Sequence, residues 1–138
     1  PISPKATSPR SDMAIRPAIS SDAETLGVLL IAAGQISALI DEGDIRVMTQ
    51  DSDIVGALMM TDTPDHLFLP ALAVAPLHRH RGFDKVLLLF AEQEARNRGH
   101  DQVRVQIASL ATETLAVCRS LGYREVARNG PLLMKIVW

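Results

Sequence analysis

The sequence is poor in the residue types that several classes of protein depend on. It has one cysteine, so no disulfide can form within the chain, which favours a reducing compartment such as the cytoplasm. Aromatic residues make up 4% of the chain and the net charge is −2, which argues against a nucleic-acid surface. The apolar runs are far shorter than the roughly 20 residues of a membrane-spanning helix. We therefore expect neither nucleic acid nor a membrane as a partner.

Metal-ligating and nucleophilic patterns are also scarce. His78 and His80 lie two residues apart, but no cluster of carboxylates or cysteines accompanies them, and a metal site needs more ligands. The sequence shows neither a Ser-His-Asp pattern nor the glycine-rich, lysine-terminated loop of nucleotide hydrolases. We expect no metal ion.

The chain does contain enough apolar sequence for one domain, since 47% of its 138 residues are hydrophobic. Residues 1–12 stand apart because they combine three prolines and three serines without apolar periodicity. This composition is typical of a flexible leader or an expression remnant. We therefore expect a single domain over residues 13–138.

Apolar periodicity, caps and turns predict the order of elements within this domain. Pro70 interrupts the predicted strand at residues 66–74 and lacks a ladder donor, which indicates a bulge, an edge or a place where strands part. The whole order indicates an α+β fold with a mixed, mostly antiparallel central sheet and helices on both faces. The predicted strands are 13–18, 45–49, 54–61, 66–74, 103–107, 123–128 and 132–137, and the predicted helices are 23–33, 36–40, 82–98 and 111–121.

The most informative segment is the basic turn, residues 79–85, between the predicted strand at 66–74 and the main helix. A turn that leads into a helix leaves main-chain N–H groups unpaired, and the helix dipole adds partial positive charge. Arg79, Arg81 and Lys85 add full charges beside these groups. This combination predicts a site for a phosphate or a diphosphate.

Residues 72–85 resemble the acetyl-coenzyme A signature of the GNAT superfamily of N-acetyltransferases. Arg79, Arg81 and Gly82 match the signature, and residues 121–126 are similar to the family's Leu-Gly-Phe-x-x-Val segment. The family's order of elements also matches residues 13–138. Two residues depart from the signature: His80 lies where glycine is common, and Asp84 replaces a glycine or alanine. A carboxylate at this second position repels a diphosphate.

The resemblance implies acetyl-coenzyme A as co-substrate and transfer of the acetyl group to a primary amine of a small molecule or peptide. The implied reaction is direct attack in a ternary complex, and the family's habits suggest a homodimer. The main chain of the predicted strand at 66–74 would contact the pantetheine arm and the acyl group, and the basic turn would bind the diphosphate. The implied cofactor-binding residues are Leu72, Ala73, Val74, Arg79, His80, Arg81, Gly82, Phe83, Asp84 and Lys85.

Two residues are candidates for proton transfer. Cys118 falls where many family members carry a tyrosine that protonates the departing thiolate, although a free cysteine is more often a buried core residue. His66 is the candidate general base because histidine titrates near neutral pH, and its alternative is a solvated turn residue.

The departures at Asp84 and Cys118, together with Ala111 where many members carry asparagine, leave other functions open. One alternative is a catalytically inactive binding or regulatory module with the GNAT fold. Another is an unrelated α+β domain in which residues 79–85 form only a charged surface loop.

Overall fold

A computed structural model of the protein describes residues 13–30, 44–106, 112–126 and 132–137. The described α-helices are α1 (Ala23–Leu30), α2 (Phe83–Asn97) and α3 (Thr112–Ser120), with short 3₁₀ helices at Ser20–Asp22 and Pro76–His78. The described strands are β1 (Met13–Pro17), β2 (Ile45–Gln50), β3 (Asp53–Met59), β4 (Thr61–Asp62), β5 (Leu67–Leu69), β6 (Leu72–Val74), β7 (Gln102–Gln106), β8 (Arg124–Glu125) and β9 (Leu132–Ile136).

The strands form two sheets. The first has the order β1-β2-β3-β6 and is antiparallel throughout. The second has the order β4-β5-β7-β9-β8, in which only the β5–β7 pair is parallel. The mixed, mostly antiparallel sheet that the sequence predicts is thus confirmed.

The helices cover both faces of the strands, as expected. On one face, Leu26 and Leu30 of α1 pack with Val47 and Ala57 in a smaller core. The larger core lies on the other face, where α2 and α3 bury side chains that include Leu87 and Cys118. Neighbouring residues of one strand enter different cores because side chains alternate across a sheet.

The predicted strand at residues 66–74 is two strands that belong to different sheets. β5 pairs with β7, whereas β6 pairs with β3, and Pro70 and Ala71 lie between them. The prediction of one continuous strand was wrong, but the expected break at Pro70 is present. The predicted strand at residues 54–61 divides in the same way at the buried Met60.

Several predicted features lie outside the described residues. These are the leader at residues 1–12, the short helix at 36–40, Ala111 and the turn between the last two strands. The other predicted helices and strands are present within the described residues.

Gly56 lets α2 approach the first sheet closely. A Cβ atom on this glycine would lie 3.0 Å from Leu87 Cδ1 and 3.1 Å from the carbonyl oxygen of Ala73. Even alanine would therefore require the Leu87 side chain and the Ala73 carbonyl to move by a few tenths of an ångström. The close approach brings the start of α2 beside the end of β6, where the basic turn lies.

Candidate functional site

The strand β6 is the last strand of its sheet within the described chain. The Ala71 carbonyl accepts a 2.9 Å hydrogen bond from the Met59 N–H, and the Ala75 N–H donates a 2.8 Å bond to Val55 O. Because hydrogen-bonding directions alternate along an antiparallel strand, the main-chain groups of Leu72 and Val74 face away from β3. β5 still pairs with β7, so the two sheets separate beyond Leu69 and leave an open wedge beside β6.

The basic turn contains two residues with left-handed backbone conformations. Gly82 has φ 80° and is the N-cap of α2, while His80 has φ 65°. A side chain is disfavoured in this region by about 1 kcal/mol or more, which explains why glycine is common at the position of His80 in similar sequences. A Cβ atom on Gly82 would meet nothing within 4 Å, so open space adjoins this residue.

The main-chain amides of Gly82, Phe83 and Asp84, at the start of α2, donate no hydrogen bond to any described residue. The next amide, that of Lys85, donates a 2.9 Å bond to Asp84 Oδ1, and the Val86 amide begins the helical pattern by bonding to Gly82 O. The start of α2 therefore presents unpaired N–H groups, and their partial positive charge suits an anion.

Three side chains of the basic turn carry positive charge, and two of them contact neighbours. Arg79 Nε lies 3.5 Å from Glu113 Oε1, a buried oxygen that accepts no hydrogen bond. Arg81 Nη1 lies 3.4 Å from His78 Nδ1. Lys85 is exposed. An anion that binds the turn would therefore compete with Glu113 for Arg79.

The Asp84 carboxylate is directed into the protein. The residue is only 8% exposed. Its Oδ1 atom accepts the Lys85 amide, and Oδ2 accepts a 3.1 Å hydrogen bond from the Thr114 hydroxyl on α3. Both oxygens thus have donors, and the carboxylate side chain leaves the surface of the basic turn clear.

A cavity of about 480 Å³ adjoins the basic turn on the α1 face of the sheet. Its lining is mostly apolar, with Arg79 on the side of the basic turn and Glu24 on α1 as its one carboxylate. Glu24 has no hydrogen bond or ion pair with a described residue. The other lining residues are Thr25, Val28, Leu29, Ile54, Ala73, Val74, Ala75 and Pro76.

Cys118 is completely buried in the larger core, behind α2. Burial raises the pKa of its thiol to about 12, and the nearby carboxylates of Asp84 and Glu92 add to this effect. The thiol is not among the groups that line the cavity. This environment is that of a buried core cysteine, which was the alternative to a catalytic role. The catalytic role of Cys118 stays a prediction.

His66 precedes β5, whereas the basic turn follows β6, so the two lie at opposite ends of this extended run. Its Nδ1 atom is 2.6 Å from Asp65 Oδ1 and 2.9 Å from Thr63 Oγ1. The hydrogen bond with His66 is the main cause of the lowered pKa of Asp65. The structure does not bring His66 to the cavity, and its role as a base stays a prediction.

Three residues that surround the site were not predicted from the sequence. Glu24, Glu113 and Thr114 reach the cavity or the basic turn from helices that are distant in the chain. The one available signal was the four-residue spacing of Thr114 and Cys118, which places both on one face of α3. Sequence spacing alone could not show what that face contacts.

None of the helices in the described ranges is long and apolar enough to cross a membrane. Among the described residues, no group of three or more His, Cys, Asp or Glu side chains is arranged to hold a metal ion.

Comparison with protein-family models matches residues 22–123 to the acetyltransferase (GNAT) family. The match includes α1, the strand pair β5 and β6, the basic turn, α2 and α3. A comparison with the sequences of curated proteins found no match.

Several solved structures share the fold. N-acetylglutamate synthase from Neisseria gonorrhoeae, complexed with coenzyme A and N-acetyl-glutamate, has a TM-score of 0.77 at 16% identity; the match covers 93% of this chain but only 36% of that enzyme. Ard1 from Thermoplasma volcanium has a TM-score of 0.78 at 16% identity, with 91% and 98% covered. A Listeria monocytogenes acetyltransferase has a TM-score of 0.72 at 18% identity, with 90% and 94% covered. At such identities these likenesses establish the fold.

Proposed function

The chain belongs to the GNAT family of acetyltransferases, and we propose that it transfers an acetyl group from acetyl-coenzyme A to a primary amine of a small molecule or peptide. The amine attacks the carbonyl carbon of the thioester directly while both substrates are bound. The C–S bond then breaks, and coenzyme A leaves as a thiolate that takes a proton from water. The observation that carries this proposal is the continuity of three features: the unpaired amides of the basic turn, the open edge of β6 and the adjoining cavity.

The basic turn fits a diphosphate. Its unpaired amides and the space beside Gly82 allow close approach of an anion, while Arg81 and Lys85 supply charge from exposed positions. The main-chain groups of Leu72 and Val74 face the wedge, where an extended arm with amide groups would complete the ladder. The coenzyme A complex of the Neisseria gonorrhoeae enzyme, which shares this fold, supports this assignment.

Acetyl-coenzyme A supplies the acetyl group as a thioester, and this chain supplies positioning and polarisation. A main-chain N–H of β6 that faces the wedge can donate to the thioester carbonyl and stabilise the negative charge that develops there. Glu24 attracts the protonated form of the amine into a mostly apolar cavity, and bound water accepts the proton that the amine must lose. This mechanism assigns no step to Cys118 or His66, which remain candidates for the acid and the base.

Thermal unfolding with acetyl-coenzyme A tests the binding step. A ligand at 100 times its Kd stabilises a protein by about 2.7 kcal/mol, which raises the Tm by several degrees for a domain of this size. Arg81→Gln should reduce the shift, whereas Arg124→Gln, an exposed arginine on β8, should not. No shift at millimolar cofactor would contradict the proposal. Release of free thiol with a panel of amines then tests the chemistry.

A second candidate function is binding of the same cofactor without catalysis. The full burial of Cys118 favours it, because the residue at the family's proton-donor position is kept from the cavity. Under this alternative acetyl-coenzyme A raises the Tm as above, but no amine releases thiol faster than solvent does.

A further inference from the structure

The charge of Asp84 is the least expected feature of the basic turn. It lies in the first turn of α2, where a carboxylate is expected to repel a diphosphate. Asp84 has no cationic partner among the described residues, since its oxygens are satisfied by a main-chain amide and a hydroxyl group. The carboxylate is thus restrained by hydrogen bonds but is not paired with a cation.

We infer that Thr114 is a positioning residue for cofactor binding, because its hydroxyl group holds the Asp84 carboxylate beneath α2 and away from the diphosphate site. This inference rests on the proposed function. The bond joins residues 30 positions apart and is buried, so it fixes the start of α2 to α3 as well as orienting the carboxylate.

Loss of the Thr114 hydroxyl would leave Asp84 Oδ2 buried without a donor. An unsatisfied buried carboxylate oxygen is costly, and rotation of the side chain toward water relieves that cost. For a residue in the first helical turn, the nearest water lies at the basic turn. A carboxylate there would oppose the positive helix terminus and repel a bound diphosphate.

The effect of Asp84 on Cys118 indicates that the carboxylate faces the core and not the basic turn. Cys118 lies one turn beyond Thr114 on α3, and the Asp84 charge contributes to the raised pKa of its thiol. The thiol is only a weak hydrogen-bond donor, so it cannot replace the Thr114 hydroxyl. Thr114 is therefore the one side chain among the described residues that donates a hydrogen bond to this carboxylate.

Calorimetric titration of coenzyme A into the full chain and its variants tests the inference. We expect Thr114→Val to weaken binding about tenfold, which is the effect of about 1.4 kcal/mol. Thr114→Ser, which keeps a hydroxyl group, should bind within twofold of the wild type. Combining Thr114→Val with Asp84→Ala should restore wild-type affinity, because no carboxylate is left to be released.

Two further measurements separate positioning from a general loss of structure. The weakening should shrink in 1 M salt, where the screening length is only about 3 Å. Dephospho-coenzyme A keeps the diphosphate, so Thr114→Val should weaken its binding by the same factor. A salt-independent loss, or one that Asp84→Ala does not reverse, would show that Thr114 acts only on stability and would overturn the inference.

The variant Asp84→Ala alone keeps the inference testable if Thr114→Val does not fold. Since the carboxylate is already restrained, its removal should tighten coenzyme A binding by less than fivefold; a larger gain would overturn the inference. If wild-type protein binds coenzyme A and Thr114→Val binds it equally well, the inference fails while the proposed function stands. If wild-type protein fails to bind it, both fail.

Discussion

The helix α2 buries two carboxylates that are stabilised in different ways. Glu92, near the middle of the helix, is 4% exposed and accepts 3.1 Å hydrogen bonds from Lys135 on β9 and from the Tyr123 hydroxyl. Asp84, at the start of the helix, is 8% exposed and has only the Thr114 hydroxyl and a main-chain amide as donors. One carboxylate is neutralised by a full positive charge and the other is not.

This difference indicates a structural role for Glu92 and a role at the proposed binding site for Asp84. The Glu92–Lys135 pair joins α2 to β9 and lies far along the helix from the basic turn. Burial, together with the Glu92 charge, raises the pKa of Tyr123, so its hydroxyl group stays protonated as a donor. Asp84 instead has no cationic partner among the described residues, and it lies in the first turn of the helix whose terminus would bind the proposed diphosphate. The uncompensated charge is found at the site, and the compensated one in the core.

The largest expected effect comes from removing the cation that compensates Glu92. Lys135→Met would leave a buried, unpaired carboxylate, and we expect the free energy of unfolding to fall by about 3 kcal/mol. Lys85→Met is the matched control, because this exposed lysine of the basic turn should weaken coenzyme A binding with little change in stability. Urea unfolding at pH 7 measures both. Equal stabilities for the two variants would show that the comparison is wrong.

A third buried carboxylate, Asp22, tests whether an ion pair outside α2 also stabilises the protein. Asp22 accepts hydrogen bonds from Arg16 at 2.8 and 3.2 Å and from the Ile19 amide at 2.9 Å. We expect Asp22→Asn to lower the free energy of unfolding by about 1.5 kcal/mol at pH 7, the contribution of a charged hydrogen bond.

The effect of Asp22→Asn should depend on pH. The hydrogen bond from Arg16 is the main cause of the lowered pKa of Asp22 in the folded protein. Stability from this shift is fully present above the unfolded-state pKa of about 3.9 and is lost as the pH falls through the lower folded-state pKa. Urea unfolding from pH 7 to pH 2 should therefore show the two proteins converging; a constant difference would contradict this explanation.

A smaller change tests the neutral partner of Glu92. Tyr123→Phe removes the hydroxyl donor but leaves Lys135 in place, so we expect a loss of about 1 kcal/mol in the free energy of unfolding. Tyr123→Phe combined with Lys135→Met measures the coupling between the two donors by a double-mutant cycle. Strict additivity would mean that the donors act independently on Glu92.

The smallest expected effect concerns the other acidic neighbour of the basic turn. Glu113 pairs with Arg79 at a partly exposed position, where an ion pair contributes about 0–1 kcal/mol. Glu113→Gln should leave stability nearly unchanged and tighten coenzyme A binding about twofold, because Arg79 is released for the diphosphate. Weaker binding would show that Glu113 orients Arg79 and does not compete for it.

Local patterns predicted the parts of the fold that local physics determines. Pro70 predicted the break between β5 and β6 because a proline lacks a ladder donor, and Gly82 fell at a left-handed position that favours glycine. The alternation of Val103 and Val105 with polar residues predicted β7. These features depend on neighbours within a few residues, so a single sequence carries them.

The site was less predictable because its decisive contacts are distant in the chain. The repulsion expected from Asp84 took no account of Thr114, whose hydroxyl group determines where the carboxylate points. Glu24 carried no signal beyond that of an ordinary acidic residue in the first turn of a helix. The burial of Cys118 depends on how α3 packs against α2, which periodicity does not specify.

The wedge beside β6 is lined by main-chain groups of the strand, which limits how substitutions can change the specificity of such a protein. Main-chain hydrogen-bonding groups are retained in nearly every substitution. The side chains of β6 can therefore change among β-prone residues while the strand keeps its hydrogen bonds to an extended ligand. Changes of chemical preference must then arise from the side chains of α1 and the basic turn. A library randomised at Glu24, Thr25 and Val28 would therefore test new amine substrates while the proposed acetyl-coenzyme A site stays unchanged.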